Sequence, residues 1–441
     1  METSTSFEFH RGYVAFTERL PNGRAQLQSF QDGAIGVSSS GEITYVGPWT
    51  HVENCDQVKV HNWGQALLLP GFVDTHVHFP QLDILGSYGE NLLGWLKRYT
   101  FPAEEKYSDR SFAEHAARRF ITELFRAGTT SAAVFSSSHF GATDALFSEA
   151  AQRGLRASIG QVSMNRHAPD SLLTKDLAIH EQEFESLRQR WHNYDEGRIS
   201  IAITPRFAPA CTDDLLKLNG EMAKTCPTAL IQTHYAESQE EVAWVRELFP
   251  KAKDYLNVYE AFNLVNERTV LAHGIHISLD EIRRLAAAKA SIAHCPSSNM
   301  FLGSGIMPWR DLCPETAHQS TVKFGLGSDV GAGTSFSLWR VMGDAYKSQK
   351  LAGTSICPLE LLARATVDGS DTLSPAASKP RGFQIGAPFD LQVVDWEKSD
   401  LLLEKMAGDC APKDLLFSLI WLWEPSMTRA VYIGGKPVFN Q

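Results

Sequence analysis

What this sequence lacks narrows its class before any motif is read. Its seven cysteines (Cys55, Cys211, Cys226, Cys295, Cys313, Cys357 and Cys410) are odd in number and scattered, without a Cys-x-x-Cys pair. That excludes a disulfide-stapled scaffold and predicts free thiols in a reducing cytoplasm. No apolar run approaches the ~20 residues that span a bilayer. The opening "METSTSFEFHRGYVAF" also lacks the basic-then-apolar order of an export signal. A protein neither exported nor membrane-embedded is expected. Clustered Lys and Arg are missing too, and the net charge is -10. No surface is prepared to neutralise phosphates, so a small molecule is the expected partner and a nucleic acid is not. The glycine-rich "VGAGTSF" (330–336) lacks the Lys-Ser/Thr of a phosphate cradle, and no Gly-x-Ser-x-Gly elbow occurs to support an esterase-type serine.

What the chain does have is a composition of 43% hydrophobic and 21% charged residues over 441 positions, enough to bury a large core. Eight short apolar or β-branched runs recur from residue 66 onward: "LLLPGFVDTHVH", "TTSAAVFSSS", "RASIGQVSM", "ISIAITPR", "ALIQTHYAE", "TVLAHGIH", "ASIAHCPSS" and "VKFGLGSD". Amphipathic helical stretches lie between them, such as "SFAEHAARRFITELFRAG" and "SLDEIRRLAAAKA", where Ser278 and Glu281 have capping-box spacing. Eight βα units predict a (β/α)8 TIM barrel, an α/β fold. The flanks read as short strands bounded by glycines, "YVAF", "GAIGV" and "ITYVG" at one end and "FDLQVVDW" and "RAVYIGGKPVF" at the other. The expected division is therefore residues 1–65 and 381–441 sharing a small β-sandwich, with the barrel over 66–380.

In such barrels chemistry sits at the C-terminal ends of the strands. The first run ends in His76 and His78, which alternation directs to one face of the strand. The fifth ends in His234 followed by Glu237, the sixth carries His273, and the eighth ends in Asp329. Each residue alone is as well explained as a satisfied core histidine, a helix-capping aspartate or a solvated glutamate. Together, neutral imidazoles and a carboxylate make a site suited to Zn²⁺ or Fe²⁺ with a position left for water.

The motifs "PGFVDTHVHFPQ", "LLGWLKRYTFPAEE", "ITPRFAP", "THYAES", "LAHGIH", "SSNMFLGSG" and "GSDVGAGTSF" resemble the amidohydrolase superfamily along essentially the whole chain. "FPQ" and "TPRFAP" point to its guanine-deaminating branch. The resemblance implies that His76, His78, His234 and Asp329 bind one metal ion, zinc or else iron. It implies that Glu237 shuttles protons and that His273 contacts the water the ion activates. Binuclear members carry a carboxylated lysine at the fourth strand; "ISIAITPR" has none, so a mononuclear site is expected.

Hydrolytic deamination of guanine to xanthine and ammonia, in purine catabolism and by a cytoplasmic homodimer, is what the resemblance implies. Gln81 would read the purine edge, and His234 and Glu237 would also touch the base. Arg206, which can only donate, suits the guanine carbonyl or a ring nitrogen unless it is spent on a salt bridge with a neighbouring acid. Phe207 would stack on the base or fill core, and Trp95 and Phe101 are further aromatic candidates over it. His139, His276 and His294 are read as structural. The alternatives are a deaminase or chlorohydrolase of another aminated heterocycle (8-oxoguanine, a thioadenosine, a triazine) and, against the intact ligand set, a non-catalytic scaffold.

Overall fold

The computed structural model describes residues 8–52, 58–89, 91–313, 322–373, 382–408 and 411–441. Four strands open the chain, β1 (Glu8–Arg19), β2 (Ala25–Val37), β3 (Ile43–Pro48) and β4 (Lys59–Pro70). The barrel strands follow: β5 (Phe72–His78), β6 (Thr129–Phe135), β7 (Arg156–Gly160), β9 (Ile199–Pro205), β10 (Leu230–Tyr235), β11 (Thr269–His273), β12 (Ser291–His294) and β13 (Lys323–Leu326). A two-residue strand, β8 (Val162–Ser163), pairs with β9. Barrel neighbours in sequence are neighbours in space, all parallel, as successive right-handed βα units dictate. The ring is nearly closed where Asp329 N donates to His76 O (2.9 Å) and His78 N to Val330 O (3.2 Å).

Burial explains why these segments are strands. Every residue of β5 is buried, which is the signature of a parallel strand covered on both faces. The helix Arg110–Arg126 starts where the Asp109 carboxylate accepts from the Ser111 and Phe112 amides, and it turns Ala113, Ala117, Phe120 and Leu124 to the barrel. The expected capping box of Ser278 and Glu281 opens the helix Leu279–Ala288.

The chain closes with β14 (Leu391–Val394), β15 (Thr428–Ile433) and β16 (Lys436–Asn440), which join the first four strands in one mixed sheet, ordered β16-β15-β14-β4-β1-β2-β3. Its side chains alternate between two cores. Val14, Phe16, Leu68, Leu391, Val393 and Tyr432 pack with Ile35 and Val37 inside the curled sheet. Tyr13, Ala15, Leu67 and Leu69 instead join the main core on the barrel side. Strand β4 carries the sheet to Pro70, and the barrel begins two residues later at Phe72.

Cys211, Cys226, Cys295, Cys313 and Cys357 are unpaired; Cys55, Cys410 and the boundary expected at residue 380 lie outside the described residues. Among the described residues no helix is long and apolar enough to cross a membrane.

Candidate active site

The barrel brings five of the expected residues to one point. His76 and His78 end β5, His234 lies on β10, His273 ends β11, and Asp329 follows β13. Asp329 Oδ1 is the hub, 3.2 Å from His76 Nε2 and 3.3 Å from His78 Nε2. His78 Nε2 and His234 Nε2 are 3.1 Å apart. His273 Nε2 lies 3.4 Å from Glu237 Oε2 and 3.8 Å from Asp329 Oδ2. Phe135 packs against the rings of His76, His78 and His234 from the barrel interior. The backbone at this rim is strained: His273 and Asp329 hold φ of 75° and 50°, a region non-glycine residues rarely enter.

Hydrogen bonds behind the rings fix which nitrogen faces inward. His234 Nδ1 donates to the Arg206 carbonyl (2.6 Å), and His273 Nδ1 to Asn299 Oδ1 (2.8 Å), so in each ring Nε2 keeps its lone pair for the site. The buried Nε2 atoms of His76 and His273 have no hydrogen-bond partner among the described residues. Lone pairs converging on a carboxylate, with no donor of their own between them, fit a divalent transition metal.

Electrostatics agree with that chemistry. Burial, against the pull of Asp329, pushes His78 down to about 3, which favours the neutral ring at pH 7. Burial raises the Asp329 carboxyl, but the adjacent His76 and His78 rings outweigh it and hold the group well below the usual carboxylate range. Glu237 goes the other way: burial first, then the charges of Asp329 and Glu241, push it well above its usual range. Two carboxyls facing one cavity are thereby split into a base and an acid.

His273 stands as near the centre as the residues expected to be ligands. His76, His234, His273 and Asp329 all lie within 4.8 Å of one another. The expected ligand set has His78 in place of His273, and His78 Nε2 lies 3.3 Å from Asp329 Oδ1 and 3.1 Å from His234 Nε2.

A cavity opens from this cluster, lined by His78, His234, Glu237, His273 and Asp329 together with Gln81, Arg206 and Phe207. Trp95 also lines it, whereas Phe101 sits under the Arg206 guanidinium, 5.6 Å from ring centre to carbon. Phe207 lines the cavity and packs edge-on against Trp244. The salt bridge weighed for Arg206 is present: Nη1 donates to both oxygens of Glu104, at 3.0 and 2.7 Å. Arg206 faces the cavity nonetheless. His276 hydrogen-bonds the Ser304 carbonyl (2.7 Å), and His139 and His294 do not line the cavity. Sequence reasoning missed Glu104, Thr100 and Asn299. All three lie inside quoted motifs, but nothing in their spacing marks a buried carboxylate or a ring-orienting amide.

With the geometry in place, comparison with known proteins gives the class. The model of the amidohydrolase family matches residues 67–438, and the chain belongs to this family of metal-dependent hydrolases. Within it, the chain is 34% identical to guanine deaminase of Escherichia coli (strain K12) over 418 residues, 94% of this chain and 93% of that protein. It is 37% identical to a probable guanine deaminase of Deinococcus radiodurans over 421 residues, 94% of each. The solved structure of the E. coli guanine deaminase superposes with a TM-score of 0.93 at 33% identity, covering 98% of this chain and all of that one. A guanine deaminase from C. acetobutylicum with guanine bound in its active site superposes with a TM-score of 0.87 at 28% identity, again covering 98% of this chain and all of that one.

Proposed function

We infer that this chain is a hydrolase that deaminates guanine to xanthine and ammonia. One observation carries the reading: the Nε2 atoms of His76 and His273 and the Asp329 carboxylate converge beside the buried Glu237, on a cavity walled by Arg206 and Gln81. Its similarity to guanine deaminases over 94% of its length supports the substrate. His76, His78, His234 and Asp329 would hold one metal ion, zinc or alternatively iron, and β9 has no lysine to bridge a second. When bound, that ion supplies the Lewis acidity that makes water nucleophilic at neutral pH.

The remaining steps belong to the chain's own residues. Asp329, held ionised, accepts the proton that the attacking water gives up. His273, with Nε2 directed between Glu237 and Asp329, orients that water. Glu237 donates its proton to the ring nitrogen beside C2, the carbon bearing the amine, and so limits negative charge on the ring as C2 becomes tetrahedral. As the bond from C2 to the amine breaks, the new C2 hydroxyl gives its proton to Glu237, and the leaving nitrogen takes the water's proton held by Asp329, or that hydroxyl proton passed on by Glu237, so ammonia departs. Arg206 donates to the 6-oxygen or a neighbouring ring acceptor, Gln81 reads the adjoining edge, and Phe207 covers one face of the base. His234 and Glu237 border the base as well as the reacting carbon.

We propose the barrel of residues 66–380 as the catalytic domain between the two sheet-forming ends, in a cytoplasmic homodimer serving purine catabolism. The unpaired cysteines support a reducing compartment, the charge of -10 supports a partner other than nucleic acid, and the dimer rests on the family resemblance.

Ammonia release from guanine, adenine, cytosine, 8-oxoguanine and triazines tests the reading. Guanine should be turned over fastest, with xanthine formed one for one with ammonia. A faster rate on 8-oxoguanine or a triazine would reassign the substrate, and no release from any of them would leave the scaffold reading.

A further inference from the structure

The two residues assigned to reading the base come from different barrel strands. Gln81 follows β5, and Arg206 follows β9. Neither is anchored by a neighbour on its own segment. What joins them is Glu104, from the helix Phe101–Glu105 in the segment that follows β5 and the short helix carrying Gln81. Glu104 Oε1 accepts from Gln81 Nε2 (3.2 Å), and both its oxygens accept from Arg206 Nη1 (3.0 and 2.7 Å). All three side chains are buried, yet Glu104 does not itself line the cavity whereas Gln81 and Arg206 do.

The geometry assigns each donor a direction. With Nη1 spent on Glu104, and no other Arg206 side-chain hydrogen bond among the described residues, the fork is left to present its remaining N–H groups to a ligand. Gln81 is fixed at both ends: its Nε2 gives one hydrogen to Glu104, and its Oε1 accepts from Gly331 N (3.3 Å). Its second Nε2 hydrogen remains. The carboxylate also neutralises a buried guanidinium that would otherwise face an uncharged base.

We propose that Glu104 is a positioning residue that sets selectivity for a purine bearing a 6-oxygen, by holding Arg206 and Gln81 in register. This rests on the guanine reading above. A single carboxylate gripping both readers makes recognition depend on their mutual placement, so its loss should damage carbonyl recognition more than the chemistry at C2.

The test compares guanine with 2-aminopurine, which has the same ring system and 2-amino group but hydrogen in place of the 6-oxygen. The metal-loaded parent should prefer guanine. In Glu104→Gln, KM for guanine should rise and the ratio of kcat/KM for guanine over 2-aminopurine should fall roughly 10-fold or more, the worth of one charge-assisted hydrogen bond. Activity on 2-aminopurine should fall by much less, and metal content should hold. Equal losses on both substrates would mean a structural role and overturn the proposal, as would unaltered guanine kinetics. Should Glu104→Gln fail to fold, Glu104→Asp keeps the charge but is one methylene short of gripping both partners; it should lose the same discrimination, and parent-like discrimination in it overturns the proposal. A parent without guanine turnover would instead overturn the guanine reading, and this proposal with it.

Discussion

The barrel mouth and the terminal sheet each gather histidines and carboxylates whose ligand atoms lie within 4.8 Å of one another: His76, His234, His273 and Asp329 in the first, Glu8, His10 and His61 in the second. The residue types are alike, but the partners behind the rings are opposite. In the barrel, Nδ1 of His234 and of His273 donates outward, to a backbone carbonyl and to Asn299, which turns lone pairs inward. In the sheet, the Trp63 indole N–H donates to His10 Nδ1 (3.2 Å), which places the ring proton on Nε2, the nitrogen that faces Glu8 at 3.6 Å. His61 Nε2 gives its own hydrogen to Glu8 (2.9 Å), and Lys59 adds a positive charge 3.7 Å away. In the sheet the Nδ1 lone pair of His10 is taken by Trp63, whereas in the barrel His234 and His273 keep their Nε2 lone pairs on the site side. Proximity of ligating residues therefore does not make a metal centre, and the hydrogen bonds around them decide.

The comparison is broken most severely at Glu237, the proposed proton donor, whose proton affinity burial raises. Glu237→Gln should keep its metal and still bind a purine while kcat falls by about 10²- to 10⁴-fold. Metal analysis beside steady-state kinetics checks it, and a variant that loses its metal would make Glu237 a ligand. A smaller loss is expected at Arg206. Arg206→Ala removes a charge-assisted donor, worth roughly 1.5 to 3 kcal/mol, or on the order of 10- to 150-fold in kcat/KM for guanine. It also leaves Glu104 buried without its cation, so denaturant unfolding should show a loss of up to about 3 to 5 kcal/mol. Metal content should not change, and adenine should be a poor substrate of the parent because its amine would oppose a group that only donates.

The smallest effect on turnover belongs to the sheet. Burial, then the neighbouring His61, push His10 down to about 3, against the opposing pull of Glu8. The folded state thus binds fewer protons than the unfolded chain between about pH 6.5 and 3. Stability from this group is whole above pH 6.5 and is lost as pH falls, by about 1.4 kcal/mol per pH unit. Relative to the parent, His10→Leu should flatten the decline in unfolding free energy from pH 6.5 to 4, with guanine turnover and metal content unchanged at pH 7. An identical slope in the two proteins would place the protonation elsewhere.

Much of this was legible in the sequence because it depends on period and strand ends. Alternation puts His76 and His78 on one face of β5, and the eight runs place His234, His273 and Asp329 at the same rim. The capping box at Ser278 is likewise a local rule. What could not be read depends on which side chains meet across the barrel. Glu104 sits 102 positions from Arg206, with no periodicity linking them. Asn299 orients His273 from 26 positions away. The placement of His273 as close to the centre as the expected ligands, and the inert pairing of His10 with Trp63, are likewise outcomes of tertiary contact.

The claim that the barrel cluster alone takes up the catalytic metal is tested most directly by stripping the protein with a chelator and titrating zinc back while following xanthine formation from guanine. Turnover should vanish on stripping and return in proportion to added zinc, breaking sharply at one equivalent per chain. Turnover that survives stripping, or a break at two equivalents, would contradict it.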